Sequence, residues 1–99
     1  MSSDDLTFLQ DWYARHCDGD WEHDSRVRIS TLDNPGWRLW VNLEDTELAG
    51  RHIPRTRDES SVEHWIDYQC DGNAFDAACG PRGLGLALAA FRELAGSDR

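Results

Sequence analysis

Leu6, Leu9, Trp12, Tyr13 and His16 recur at spacings of three and four, which places them on one face of an amphipathic helix. Ser3 or Asp4 can cap its start, and the early acids suit the positive end of its dipole. The pattern stops near Cys17. Gly19 stands where a left-handed residue closes a helix, and Trp21 is positioned to fold back on the last turn. Beyond that point the period changes to two. Val27, Ile29 and Thr31 alternate with Arg26, Arg28 and Ser30, which predicts a half-buried strand. Asp33, Asn34, Pro35 and Gly36 form the turn: Asp33 accepts a turn hydrogen bond, Pro35 sets φ, and Gly36 admits a positive φ. Trp37, Leu39, Val41 and Leu43 then alternate with Arg38, Trp40 and Asn42, completing a β-hairpin.

The polar stretch from Glu44 to Gly50 predicts a connection. Arg51–Arg57 is a weaker strand, and Pro54 assigns it to an edge. A turn over Asp58–Ser61 leads into a strand in which Val62, His64, Ile66, Tyr68 and Cys70 face inward. Asp71-Gly72-Asn73 predicts a tight turn, and Ala74–Ala78 a short last strand around Phe75. Gly80-Pro81 breaks the sheet, with Pro81 suited to a helix first turn. Leu84, Leu88, Phe91 and Ala95 mark a second amphipathic helix, closed by Gly96. The expected fold is α+β: an N-terminal helix, a four- to five-stranded antiparallel sheet and a C-terminal helix. Both helices must bury apolar stripes, so both are expected on one sheet face. Residues 1–99 are expected to form one domain, with 1–3 and 97–99 frayed.

Charge narrows the partners. The net charge is −9, which argues against direct binding to nucleic acid or an anionic membrane, both of which need a basic footprint. It suits a basic partner. The acids are uneven: the first 24 residues hold seven carboxylates against Arg15 alone, a local net of −6. Cys17, Cys70 and Cys79 are an odd number without C-x-x-C spacing, and no signal-peptide pattern precedes the domain. Reduced thiols in a cytoplasmic protein are expected.

Cys17–His23 holds the densest chemistry: a thiol, three carboxylates, an imidazole and an indole around Gly19. Asp18, Asp20, Glu22 and His23 offer ligand atoms, but neither an EF-hand loop nor a zinc pattern is complete, so no metal or other cofactor is expected. Cys17 lies among acids that would disfavour its thiolate, and its place on the helix suits a buried structural thiol. Asp18, Asp20, Glu22 and Asp24, with His23, instead form a candidate acidic binding loop. A competing surface is the sheet side away from the helices, where Arg26, Arg28, Arg38, Trp40, Trp65 and Asp67 point outward. Trp and Arg are favoured at binding hot spots, though cross-strand pairing alone can explain them.

Three motifs carry a resemblance: Leu9-Gln10-x-Trp12-Tyr13, Cys17-Asp18-Gly19-Asp20-Trp21-Glu22-His23 and Thr31-Leu32-Asp33-Asn34-Pro35-Gly36-Trp37. Together with Trp65-Ile66, Phe75, Gly80-Pro81 and the closing helix, they make the chain similar to the immunity protein 53 family of bacterial polymorphic toxin systems. Ala77, Ala78 and Cys79 replace a stretch that is often glycine-rich there, and Tyr68 replaces a strand cysteine. The resemblance implies a non-enzymatic cytoplasmic inhibitor that binds a cognate toxin domain; the acidic charge of the chain adds the expectation of a basic toxin domain, such as one acting on nucleic acid. A monomer or weak homodimer is expected. The alternative is a small metal- or thiol-dependent enzyme built on Cys17–His23.

Overall fold

In a computed structural model, which describes residues 3–96, the chain runs helix α1 (Ser3–His16), a single 3-10 turn (Trp21–His23), strands β1 (Val27–Leu32), β2 (Gly36–Asn42), β3 (His52–Glu59), β4 (Trp65–Asp71) and β5 (Ala74–Cys79), and helix α2 (Leu84–Gly96). Apart from Ser3, which begins α1, the termini expected to fray lie outside the described residues. All strand pairs are antiparallel, in the order β1-β2-β5-β4-β3. The last strand is therefore central, and the two edges are β1 and β3.

Register decides which side chains share the core. Val27, Ile29 and Thr31 lie opposite Val41, Leu39 and Trp37, which in turn lie opposite Phe75, Ala77 and Cys79. Ile66, Tyr68 and Cys70 continue this face on β4. Leu39, Val41, Phe75, Ala77 and Cys79 are fully buried there, beneath Leu9 and Trp12 of α1 and Ala87, Leu88, Phe91 and Leu94 of α2. Phe91 is the hub, edge-on to both Trp12 and Phe75, and Phe8 packs on its other side. Arg92 on α2 also reaches Asp5 on α1 at 3.0 Å.

Several local expectations are corrected. The inward face of α1 is Phe8, Leu9, Trp12 and His16; Leu6 and Tyr13 lie on its exposed flank, because α2 draws Phe8 into the helix pair. Gly36 opens β2 without a positive φ. Glycine is needed there because a Cβ would stand 2.2 Å from the Cys79 carbonyl oxygen. β3 continues to Glu59 and β4 begins only at Trp65. Val62 and His64 are thus exposed loop residues, not inward strand residues. Backbone bonds from Ser60 and Ser61 to the His64 carbonyl close that loop. Pro81 precedes α2 by three residues, its carbonyl accepting the Trp37 indole N–H at 3.1 Å. The connection between β2 and β3 is also less polar than it reads: Leu43 and Leu48 are fully buried.

Candidate functional site

The acidic loop begins where α1 ends. Gly19 has φ +99°, a left-handed turn that a side chain would strain. Asp18 folds its carboxylate back to accept the N–H groups of Asp20 and Trp21, both at 2.9 Å. Glu22 reaches the other way, accepting from the N–H groups of Asp18 at 3.0 Å and Gly19 at 2.9 Å. These bonds favour the ionised forms. The Trp21 and Asp20 N–H groups hold Asp18 below the usual carboxylate value. Glu22 is lowered by its own N–H and by those of Asp18 and Gly19. Two members of the candidate binding set are therefore internal fasteners. Asp20, His23 and Asp24 remain exposed, and Asp24 also lies 3.5 Å from the Arg26 guanidinium.

The loop serves to seat Trp21. Its indole is buried between Trp12, Tyr13 and His16, with ring centroids 5.3–6.0 Å away. Arg26 lies over it at 4.9 Å, donating to the Trp21 carbonyl at 2.6 Å and the Glu44 carbonyl at 3.2 Å. The Trp21 indole N–H also donates to the Glu44 carbonyl, at 3.3 Å. Arg26 is thus 6% exposed and buried behind the loop, which corrects its expected place on the outer sheet face. Two backbone carbonyls outbid solvent for its guanidinium.

Glu47 extends the same corner. Its carboxylate accepts the Trp12 indole N–H at 3.0 Å and meets His16 Nε2 at 2.6 Å. The other His16 nitrogen lies 2.7 Å from the Trp12 carbonyl oxygen. Burial opposes ionisation of Glu47, yet its own backbone N–H and the bonds from His16 and Trp12 hold it below the ordinary glutamate value. Cys17 is exposed, not buried; its thiol donates to the Tyr13 carbonyl at 3.4 Å, one turn back. Cys70 and Cys79 are the buried thiols, both pushed up by burial. Among the described residues, no three His, Cys, Asp or Glu are grouped to hold a metal ion.

The outer sheet face carries Arg28, Arg38, Trp40 and Trp65 as expected. Arg28 lies over Trp40 at 5.6 Å and Arg57 over Trp65 at 5.1 Å. Arg38 grips Asp76 through two bonds of 2.8–2.9 Å, and Arg55 grips Asp67 at 2.7–3.1 Å. The Asp76 bond raises Arg38, and the Arg55 bond lowers Asp67. Trp40 lies opposite Asp76, whereas Trp65 lies one residue before the Ile66–Cys79 pair. The tryptophans are therefore two strands and four residues apart, roughly 17 Å, and do not form one patch.

Within the turn of the first hairpin, Asp33, Asn34 and Pro35 are exposed, whereas Gly36 is buried and Trp37 half-buried. Sequence reading missed Glu47, whose partners lie 31 and 35 positions away. It also missed an exposed apolar flank at Leu6 and Tyr13. The signal was present: with Phe8 included, the apolar stripe of α1 is about 160° wide, more than one packed face requires.

A family model described as Immunity protein 53 matches residues 6–96. No curated protein and no solved structure matches the chain. No helix among the described residues is long and apolar enough to cross a membrane.

Proposed function

We propose, starting from the fact that this chain belongs to the immunity protein 53 family, that it protects the cell producing it by binding and occluding the cognate domain of a polymorphic toxin in the cytoplasm. The family implies immunity against a toxin. The match over residues 6–96 is the observation that carries this reading. A net charge of −9 favours a toxin domain with a basic cleft, such as one that acts on nucleic acid, and speeds its encounter.

Contact is assigned to the acidic end, at the exposed residues Asp20, His23 and Asp24. Asp18 and Glu22 shape that end. On the competing outer face, Arg38 and Arg55 are already held by Asp76 and Asp67, as expected of a sheet stabilised by its own cross-strand pairs. Of the residues of the enzymatic alternative, Glu22 is taken up by backbone N–H groups, whereas Cys17, Asp20 and His23 stay exposed, so the family match is what favours the immunity reading.

The test is co-production of the chain with the toxin domain encoded beside its gene, followed by stopped-flow association with an inactivated form of that domain. Growth should be rescued. Asp20→Arg with Asp24→Arg should slow association about tenfold at low salt and flatten its salt dependence. An unchanged on-rate would reject the acidic end, and a loss confined to Trp40→Ala or Trp65→Ala would select the sheet face. Failure to rescue growth would overturn the reading.

A further inference from the structure

The sheet has two edges, and they are built differently. β3 carries Pro54 and breaks register between Ile53 and Thr56. Both features discourage another strand from pairing there. β1 carries neither: its six residues pair without interruption from Val27↔Val41 to Leu32↔Gly36.

The phase of that ladder shows what β1 offers at its open side. The Asn42 N–H donates to the Arg26 carbonyl at 2.7 Å. In an antiparallel ladder bonded pairs recur every second residue. With this register, the bonded pairs are Arg28/Trp40, Ser30/Arg38 and Leu32/Gly36. Val27, Ile29 and Thr31 therefore turn their N–H and C=O groups to the open edge. Their side chains lie on the helix-covered face, so an incoming strand would lay its own alternate side chains beside α1.

A groove of about 400 Å³ lies there, lined by Leu6, Leu9, Tyr13, Arg26, Val27 and Ile29. Leu6 is 37%, Tyr13 37% and Ile29 42% exposed. These are three of the five large apolar side chains exposed among the described residues. Asp24 also lines the groove, which joins it to the acidic loop.

Resting on the toxin-binding reading, we propose that an extended segment of the toxin domain, with apolar residues at alternate positions and a basic residue at one end, adds as a sixth strand beside β1. Its alternate apolar side chains enter the groove, and its basic end meets Asp24, which lines the same groove. The occupant is a basic partner because the first 24 residues have a net charge of −6. A second copy fits less well, since two chains of net charge −9 repel.

Amide hydrogen exchange on this chain, free and in complex with the inactivated toxin domain encoded beside its gene, tests the proposal. The Val27, Ile29 and Thr31 amides should slow by at least about tenfold on binding. Thr31→Pro removes an edge donor while sparing the ladder, and should weaken Kd about tenfold. Leu6→Ser combined with Tyr13→Ser should weaken it by a similar factor. Pro54→Thr at the other edge should leave Kd unchanged. A complex in which the three amides exchange as in the free protein overturns the proposal while leaving the toxin reading intact. A toxin-free dimer that protects them makes the occupant a second copy and also overturns it. If wild type forms no complex at all, the toxin reading falls and this proposal with it.

Discussion

The acidic loop and the outer sheet face are both dense in charge, yet they use it differently. In the loop, Asp18 and Glu22 bond to backbone N–H groups within four residues. On the sheet, Arg38 and Arg55 bond to carboxylates 38 and 12 residues away. The loop's bonds shape local backbone and seat a buried tryptophan. Those on the sheet neutralise neighbours on a surface that no helix covers. A count of charges therefore overstates what either surface offers a partner. What stays available at the acidic end is the subset that the local backbone does not use.

The comparison breaks most sharply at the tryptophans. Trp21→Ala should cost about 3–5 kcal/mol in urea unfolding, the range for truncating a buried tryptophan. Trp40→Ala and Trp65→Ala, half-exposed under arginines, should each cost about 1 kcal/mol. Equal losses would mean that the loop is no more structural than the sheet face. A double-mutant cycle on Arg38 and Asp76 should return a coupling of about 0.5–1 kcal/mol, because both side chains remain partly solvated.

Acid and salt separate the two regions further. The values of Asp18 and Glu22 are lowered in the folded state. Their stabilisation is present above the unfolded carboxylate value, near 4, and is lost as pH falls through the folded values. The wild-type melting temperature should therefore fall below about pH 4, and Asp18→Asn, which keeps an acceptor but does not titrate, should fall less. Asp67, lowered by Arg55, follows the same sign. At about 1 M salt the acid-dependent share of Asp67 should shrink, while that of Asp18 should persist, because an ion pair is screened more than a backbone hydrogen bond. Equal salt sensitivity of Asp67→Asn and Asp18→Asn would remove the distinction.

Much of the fold was legible because it follows local periodicity. The alternation from Trp37 to Leu43, the closing glycine at position 19 and the return of Trp21 onto α1 all appear where expected. His64 failed because alternation runs through a strand start without marking it; the serine bonds to its carbonyl stop β4 at Trp65. Arg26 failed because alternation assigns a face but not an anchor. Two carbonyls from separate segments, Trp21 and Glu44, draw it inward. Cys17 failed because the buried side of α1 is turned toward Phe91 and away from that residue's flank.

Sequence alone determined the helix, the hairpins, the acidic bias and the family, because each rests on neighbours within a few residues or on a contiguous motif. Tertiary structure alone decided which arginine is buried, that β1 is the regular open edge, and that Leu6, Tyr13 and Ile29 meet in one groove. Those outcomes depend on strand order and on contacts between residues far apart in the chain. Periodicity assigns each side chain a face but is silent on what lies opposite it.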